Sequence, residues 1–436
     1  SSIMYALVLD KNKKPLDPTH PAQARKMLKA GLAKVWKRYP FTIILQDLEV
    51  ENCVTHNHQL KIDPGSTTTG LAILQDNRVL WGAELTHRSQ QIKQALLARR
   101  QCRRGRRNRK TRYRPPRFLN RRRPKGGLPP SLQSRVDNIV TWVWRLIKVC
   151  PIRWLSQELV RFDTQKIQNP EISGIEYQQG TLYQYELREY LLEKWGRQCV
   201  YCRVKDVPLQ VEHIVPKSKG GSNRASNLTV ACCNCNQTKG NGDLEDFLCD
   251  RPELLQHIQS QAKKPLSDAA AVNSTRWKLY ESLQATGLEL ETGSGGLTKL
   301  NRTTKNLPKK HWLDAACVGK STPKNLKVKA ESILVITARG HGCRQMMLMD
   351  KYGFPRAGYQ PKNPPKDWKT GDIVRVVKGK HQGLRSARIK TVRSKGSFSL
   401  SVNGKIVSVS RNHIQPIFKK DGYDDRVNKS QLLSSK

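Results

Sequence analysis

The chain has 436 residues, enough for two to four domains with cores of their own. Its 79 Lys and Arg residues outnumber 35 Asp and Glu residues, which gives a formal net charge of +44 and indicates a partner rich in phosphate. No apolar run approaches the roughly 20 residues that span a membrane, so we expect no membrane role. Ribosomal and chromatin proteins are equally basic, so the charge indicates the partner and not the activity.

The first 56 residues are predicted to form a small basic α+β domain. Strand-like runs at Tyr5–Leu9 and Thr42–Leu45 surround a helix from about Pro21 to Ala30. The sequence Pro15-Leu16-Asp17-Pro18 predicts a turn between them. The start, Ser1–Met4, lacks a signal-peptide core and resembles a tag remnant before a native Met4.

An antiparallel meander is predicted next. Leu60–Asp63 is a candidate buried strand that ends at Pro64-Gly65-Ser66, and Thr69–Leu74 and Val79–Ala83 complete the meander. Ile152–Leu159 is a second candidate buried strand, after an amphipathic helix over about residues 136–147.

Between the meander and that helix lies an arginine-rich segment. From Arg99 to Arg123, 14 of 25 residues are Lys or Arg, and the chain has no Asp or Glu between Glu84 and Asp137. The recurring arginines continue a helix that begins near Ser89, and six of them are candidate RNA-binding residues: Arg99, Arg100, Arg103, Arg104, Arg106 and Arg107. A solvated linker is the alternative, but a basic helix inside the chain favours phosphate contact.

Two CxxC pairs predict a structural metal site. Cys199/Cys202 and Cys232/Cys235 are about 30 residues apart, which suits one tetrahedral Zn²⁺ held by four thiolates. In a chain without a secretion signal, this pattern favours a metal site in a reducing compartment over a disulfide framework. Cys233, inside the second pair, is interpreted as a non-ligand.

The residues between the pairs predict a one-metal phosphodiesterase. His213 would take a proton from the attacking water. Glu212 and Asn236 would offer oxygen ligands to Mg²⁺, and Asn227 would hold the histidine loop through its backbone. A plain zinc ribbon would explain the cysteines but not this order of His and Asn, which resembles the HNH nuclease family.

Three acidic residues spread along the chain predict a second site. Asp63 ends a strand, Glu158 lies on a second strand, and His311 and Asp314 share one face of a helix. This order of strand, strand and helix resembles an RNase H-like core of the RuvC type, in which the carboxylates hold two Mg²⁺ ions and His311 activates the water.

Taken whole, the chain resembles IscB, a family of transposon-encoded, RNA-guided DNA nucleases related to the CRISPR effector nucleases. The resemblance includes the sequence motifs at residues 158–165 and 311–316. It also includes the N-terminal domain, in which Asp17 stands where the family has Met in its Pro-Leu-Met-Pro turn. It implies an α/β multidomain fold: a RuvC core with an inserted ββα-metal HNH domain, a small α+β N-terminal domain and a C-terminal small β-barrel. The hairpin signal Asn403-Gly404 and four short strands after residue 370 fit that barrel.

The resemblance divides the chain into seven segments, with the RuvC core in three of them. They are the N-terminal domain (1–56), the first RuvC segment (57–86), the bridge helix (87–126), the second RuvC segment (127–180), the HNH domain (181–250), the third RuvC segment (251–345) and the barrel (346–436). The resemblance implies a structured guide RNA and a double-stranded DNA target with a flanking motif. The barrel would read that motif and contact the RNA. The resemblance further implies a monomeric protein in a ribonucleoprotein, in the prokaryotic cytoplasm near the nucleoid.

Two alternatives stay open at this point. One is an HNH or RuvC-type DNA endonuclease or resolvase that needs no RNA guide. The other is a non-catalytic RNA chaperone or scaffold, which would tolerate loss of Asp63, Glu158 or His213.

Overall fold

The computed structural model describes residues 4–109, 127–159, 187–188, 190–192, 194–264, 267–340, 350–351, 356, 367–393 and 396–429. The chain divides into two compact units. Unit 1 contains residues 1–157, 282–292 and 298–436, and unit 2 contains residues 158–281 and 293–297. In the described ranges, none of the helices is both long and apolar enough to cross a membrane.

The N-terminal region of unit 1 is a four-stranded sheet in the order β2-β1-β4-β3. Its elements are β1 (Ala6–Leu9), β2 (Pro15–Thr19), α1 (Pro21–Lys29), β3 (Ala33–Lys37) and β4 (Thr42–Leu45). The turn predicted at residues 15–18 is wrong, because these residues form β2. Proline cannot donate to a ladder, but β2 lies at the sheet edge, where proline is tolerated.

The second sheet of unit 1 has eight strands. They follow the order β11-β8-β5-β6-β7-β13-β19, with β12 paired to β7. Their bounds are β5 (His58–Asp63), β6 (Thr68–Gln75), β7 (Arg78–Thr86), β8 (Ile152–Glu158), β11 (Glu289–Gly293), β12 (Lys327–Val328), β13 (Ser332–Ala338) and β19 (Tyr423–Lys429).

The centre of this sheet is the predicted meander. Strands β5, β6 and β7 are antiparallel, β8 adds parallel to β5, and β13 adds parallel to β7. The pairing of β19 with β13 was not expected, since residues 423–429 lie inside the range assigned to the barrel. The RuvC assignment itself stays a prediction.

Besides α1, four α-helices of the described residues lie wholly or largely in unit 1. They are α2 (Ser89–Arg107), α3 (Pro130–Ile147), α8 (Gly295–Thr304) and α9 (His311–Ala316). Helix α3 buries an apolar face that includes Val136, Ile139 and Trp142. Helix α9 packs against β5, β6 and β7, with Trp312 and Leu313 buried.

Unit 2 contains a ββα arrangement. Strands β9 (Leu209–His213) and β10 (Leu228–Cys232) pair antiparallel, and α4 (Cys233–Lys239) follows at once. Three further helices are α5 (Leu244–Phe247), α6 (Pro252–Lys263) and α7 (Ser267–Gln284), the last of which runs past the boundary of the unit. A single apolar cluster that includes Trp195, Leu228 and Ile258 forms the core.

The C-terminal region carries a five-stranded sheet in the order β17-β16-β15-β14-β18. Its strands are β14 (Ile373–Val376), β15 (Ala387–Val392), β16 (Ser397–Val402), β17 (Lys405–Ser410) and β18 (Ile414–Phe418). Asn403 and Gly404, both with positive φ, form the predicted hairpin turn between β16 and β17. Among the described residues no pairing joins β17 to β18, so the closed barrel stays a prediction.

Candidate functional site

The four predicted zinc ligands come together in unit 2. The Sγ atoms of Cys199, Cys202, Cys232 and Cys235 all lie within 4.8 Å of one another. Cys202 Sγ and Cys232 Sγ are 3.7 Å apart, close to the ~3.8 Å edge of a tetrahedron with ~2.3 Å Zn–S bonds. Cys233 is exposed on α4 and lies outside this group. The donor set fits one tetrahedral Zn²⁺.

Local backbone geometry favours a thiolate at Cys199. Burial alone would raise the pKa of its thiol, but hydrogen bonds from the backbone amides of Cys202, Cys232 and Tyr201 lower the pKa to about 7. Metal ligation requires the thiolate, so these amides favour the form of Cys199 that binds a metal ion.

His213 ends β9, and its ring has a partner that the sequence interpretation missed. Its Nε2 lies 3.0 Å from the side-chain Oδ1 of Asn223. An amide oxygen only accepts hydrogen bonds, so Nε2 holds the proton of the neutral ring and Nδ1 is the basic nitrogen. The arrangement gives the half-buried His213 a fixed tautomer. No spacing rule pointed to Asn223, since it lies in a Gly- and Ser-rich loop.

Asn227 holds the loop that follows His213. Its Oδ1 accepts from the Val215 amide at 2.9 Å, and its Nδ2 donates to the carbonyls of Val215 and Ser222 at 3.0 and 2.9 Å. These are the backbone bonds that the sequence interpretation assigned to Asn227. The loop is tight, because a Cβ on Gly221 would lie 1.8 Å from the Val215 carbonyl oxygen.

Asn236 lies one turn into α4, beside the second cysteine pair. Its Nδ2 donates to Gln210 Oε1 at 2.7 Å, which ties α4 to the exposed side of β9. The amide group is thereby oriented with its oxygen as the remaining acceptor. Gln210 is a second residue that the sequence interpretation missed.

Glu212 lies in a different environment from the one expected for a metal ligand. It is buried, with Oε2 accepting from the Tyr201 hydroxyl at 2.5 Å and Oε1 2.6 Å from the ammonium of Lys239. Lys239 also donates to the His213 carbonyl at 3.0 Å. Successive strand residues point to opposite faces, so Glu212 and His213 face apart. Metal ligation by Glu212 would require it to exchange these partners, and stays a prediction.

In unit 1, the start of α9 approaches β6 at Gly70, the residue paired with Asp63 at the end of β5. Asp63 pairs with Gly70 on β6, and Gly70 pairs with Glu84 on β7. A Cβ on Gly70 would lie 1.8 Å from the carbonyl oxygen of His311, so only glycine lets α9 approach here. Glu84 Oε1 accepts from the His311 amide at 3.1 Å. Glu84 is an acidic residue at this position that the sequence interpretation did not predict.

The other predicted carboxylates are ion-paired. Asp314 Oδ1 lies 2.7 Å from Arg302 Nε, and both side chains are largely buried. In unit 2, Glu158 Oε1 lies 3.5 Å from Arg276 Nη2. A nearby cation offsets the cost of burying a carboxylate.

Lys61 anchors the segment that follows α9. Its ammonium is buried and donates to the Val318 carbonyl at 2.6 Å and to the hydroxyls of Ser321 and Thr322 at 3.0 and 3.1 Å. Burial lowers the pKa of Lys61 to about 8, against the opposing charge of Glu291. Since Lys61 is two residues from Asp63 on β5, its hydrogen bonds tie residues 318–322 to the strand that ends at Asp63.

The arginine-rich segment forms α2 as far as Arg107. The side chains of Arg99, Arg100, Arg103, Arg104 and Arg107 are exposed. The side chain of Arg106 and residues 110–126 lie outside the described region of the chain.

Comparisons with known proteins match two regions. The model of the RRXRR protein family matches residues 6–180, and that of the HNH endonuclease family matches residues 199–242. The HNH match covers all four cysteines, His213 and Asn236. No curated protein matches this chain.

Solved structures of Cas9 also match the chain. Streptococcus thermophilus Cas9 in complex with the GGAA PAM is 14% identical over 59% of this chain and 31% of its own, with a TM-score of 0.24. The same enzyme with the AGAA PAM is 12% identical over 60% and 32%, with a TM-score of 0.22. The Type II-C Cas9 from Actinomyces naeslundii is 12% identical over 66% and 47%, with a TM-score of 0.16.

The chain thus spans about a third to a half of the Cas9 chains it matches. TM-scores at this level do not establish a shared fold, and the two family models carry the assignment. The two models place an RRXRR region ahead of an HNH endonuclease domain in this chain, and the HNH domain identifies it as an endonuclease.

Proposed function

We propose that the protein is an RNA-guided endonuclease of double-stranded DNA, in which the HNH domain cuts the guide-paired strand and the RuvC-type core cuts the displaced strand. The observation that carries the proposal is the combination of three features in one chain. They are a ββα unit whose first strand ends in His213, a sheet in which Asp63 ends the interior strand β5 beside α9, and the exposed arginines of α2. Three separate features then serve one reaction on a nucleic acid.

His213 is the proposed general base of the HNH domain. Asn223 keeps the proton on Nε2, so Nδ1 can accept a proton from water. Asn236 offers its amide oxygen to Mg²⁺, which would stabilise negative charge on the leaving oxygen when bound. Glu212 is proposed as a second ligand, but its buried pair with Lys239 gives it an equally good role in holding β9 against α4.

Asp63 and Asp314 are the proposed metal ligands of the second centre, and His311 is its proposed water-activating residue. Two bound Mg²⁺ ions would stabilise the attacking and leaving oxygens. The close approach of α9 to Gly70, opposite Asp63 in the β5–β6 ladder, supports this grouping. Glu158 stays a sequence-based prediction as a third ligand.

The proposed guide RNA lies on α2. Five exposed arginines on one helix present more charge than one phosphate strand requires, and Arg100, Arg103, Arg104 and Arg107 recur at helical spacing. We propose that this helix contacts both the paired segment of the guide and its structured scaffold. The C-terminal five-stranded sheet is proposed to read the motif that flanks the target.

A DNA endonuclease without an RNA guide is the second candidate, because the HNH match alone fits it equally well. Filter binding of the purified protein to its co-purified RNA across a salt series separates the two. We expect a discrete RNA of a few hundred nucleotides. Each phosphate contact releases counterions, so RNA affinity falls as the salt concentration rises. Replacing Arg100, Arg103, Arg104 and Arg107 by Ala should reduce the slope of log affinity against log salt concentration by about 3.

Unchanged RNA affinity and slope in the quadruple variant would favour the DNA-only nuclease. Replacement of four surface lysines outside α2 and the C-terminal region, Lys320, Lys324, Lys327 and Lys329, provides the charge-matched control.

A further inference from the structure

The segment that follows Asp63 is held by a buried threonine. The backbone amide of Gly65 donates to Thr69 Oγ1 at 3.3 Å, and Thr69 has no exposed surface. A Cβ on Gly65 would lie 1.9 Å from the Thr68 carbonyl oxygen, so residues 64–67 form a tight loop. The position of Asp63 therefore depends on Thr69, the second residue of β6.

Thr69 is held in turn by His87. Its Oγ1 lies 2.7 Å from His87 Nε2, and the His87 amide donates to the Thr67 carbonyl at 2.8 Å. His87 follows the last residue of β7 and precedes Ser89, the first residue of α2, by two positions. Two hydrogen bonds thus join the loop after Asp63 to the junction at which the arginine helix begins.

Asn138 on α3 fixes the proton of His87. Its Nδ2 lies 3.4 Å from His87 Nδ1 and can only donate, so Nδ1 accepts and Nε2 carries the hydrogen. Burial and the nearby charge of Arg135 lower the pKa of His87 to about 3, which keeps the ring neutral. His87 then donates to Thr69, whose hydroxyl oxygen accepts from both His87 and Gly65.

The first residue of the arginine helix is clamped at the same junction. Ser89 Oγ donates to the Ser131 carbonyl at 2.9 Å, and Arg135 Nε donates to Ser89 Oγ at 2.8 Å. Both partners belong to α3. One buried polar network therefore joins the first residues of α2, the first residues of α3 and the loop after Asp63. Its members have little freedom to move independently.

We propose that Thr69 and His87 are positioning residues for cutting of the displaced strand. They hold Asp63 in a fixed position relative to the first residues of the arginine helix. The inference rests on the proposed function, in which Asp63 belongs to the centre that cuts this strand. Neither residue touches the reacting atoms. A displacement of Asp63 by about 1 Å is enough to cost roughly 100-fold in rate.

The test compares two pairs of variants in ribonucleoproteins assembled on the co-purified RNA. Thr69→Val and His87→Leu remove the hydroxyl and the ring donor, whereas Thr69→Ser and His87→Gln keep a donor or acceptor at the same place. Each DNA strand of a guide-matched plasmid is labelled separately, and cutting rates are measured across a Mg²⁺ series. The paired strand, cut by the HNH domain, reports assembly and folding in the same reaction.

We expect Thr69→Val and His87→Leu to slow displaced-strand cutting by about 10-fold or more and to raise the Mg²⁺ concentration for its half-maximal rate. The paired-strand rate should stay within about twofold, and Thr69→Ser and His87→Gln should restore most of the displaced-strand rate. Wild-type Mg²⁺ dependence and rate in Thr69→Val would overturn the inference, and so would equal slowing of both strands. If the wild type never cuts the displaced strand, or Asp63→Ala cuts it normally, the proposed function fails and the inference fails with it.

Discussion

Asn223 Oδ1 lies 3.0 Å from His213 Nε2, and this contact assigns the proton on the ring of the proposed general base. The two residues are ten apart, on opposite sides of the loop that Asn227 holds. The loop therefore has two functions, since it shapes the site and selects the histidine tautomer.

The first prediction concerns this contact. Asn223→Ala should slow cutting of the guide-paired strand by about 10-fold, because the ring loses the partner that fixes Nε2–H. Asn223→Asp should retain more activity, since its carboxylate still accepts from Nε2. Single-turnover rates of paired-strand cutting should rank the wild type first, the Asp variant second and the Ala variant last. A rate unchanged in Asn223→Ala would mean that the contact has no catalytic consequence.

The second prediction concerns the cysteines. Removal of Zn²⁺ by a chelator, or Cys202→Ala, should unfold the ββα unit, because a small domain with a limited core depends on its metal. Atomic emission should give one Zn per wild-type chain and less than one in the variant. Cys233→Ala is the matched control and should keep both zinc and paired-strand cutting. A zinc-free wild type that remains folded and active would refute the site.

The third prediction concerns the approach of α9 to the sheet. Gly70→Ala places a methyl group 1.8 Å from the His311 carbonyl oxygen, so α9 must move. Displaced-strand cutting should fall by about 100-fold, with paired-strand cutting preserved. Gly105→Ala is the control, because a Cβ there meets nothing within 4 Å. Normal displaced-strand cutting in Gly70→Ala would show that the position of α9 is irrelevant to it.

The fourth prediction concerns pH. His87 has a pKa of about 3 in the folded protein against about 6.5 when unfolded. Below pH 6.5 the unfolded chain therefore binds the proton and the folded chain does not, so stability falls as the pH falls toward 3. Between pH 7.5 and pH 5.0 this amounts to about 2 kcal/mol.

Urea unfolding followed by tryptophan fluorescence at the two pH values checks this expectation. His87→Gln lacks the titrating group, so its stability relative to the wild type should rise by about 2 kcal/mol at the lower pH. If the difference in free energy of unfolding between His87→Gln and the wild type is the same at both pH values, His87 does not titrate as a buried neutral ring.

Local sequence signals predicted the features of the site that depend on short-range order. The cysteine spacing predicted one group of four thiolates, and an apolar run closed by a terminating turn predicted the strand that ends at Asp63. The arginine helix and the helix that begins at His311 followed from spacing in the same way. These features require no knowledge of distant contacts.

Features that depend on distant pairing were not predicted. Strand β19 pairs with β13 more than 80 residues away, and no local pattern distinguishes it from a strand of the neighbouring sheet. The Pro15–Thr19 strand carries two prolines, which local rules assign to a turn, yet it is stable because only one of its edges is paired.

The roles of individual polar residues also depended on tertiary contacts. Glu212 and His213 are adjacent in sequence, but the alternation of β9 directs Glu212 into the core against Lys239. Glu84 and His87 acquire their partners only when other strands and helices assemble around them, and Asn223 reaches His213 only when the loop between them closes.

Strand-resolved cleavage by two ribonucleoproteins, one with His213→Ala and one with Asp63→Ala, tests the central claim most directly. With separately labelled strands of a guide-matched target, His213→Ala should cut only the displaced strand and Asp63→Ala only the guide-paired strand, and neither should cut without RNA. Loss of both cuts in either variant that still binds its target, or cutting by the wild type in the absence of RNA, would contradict the account.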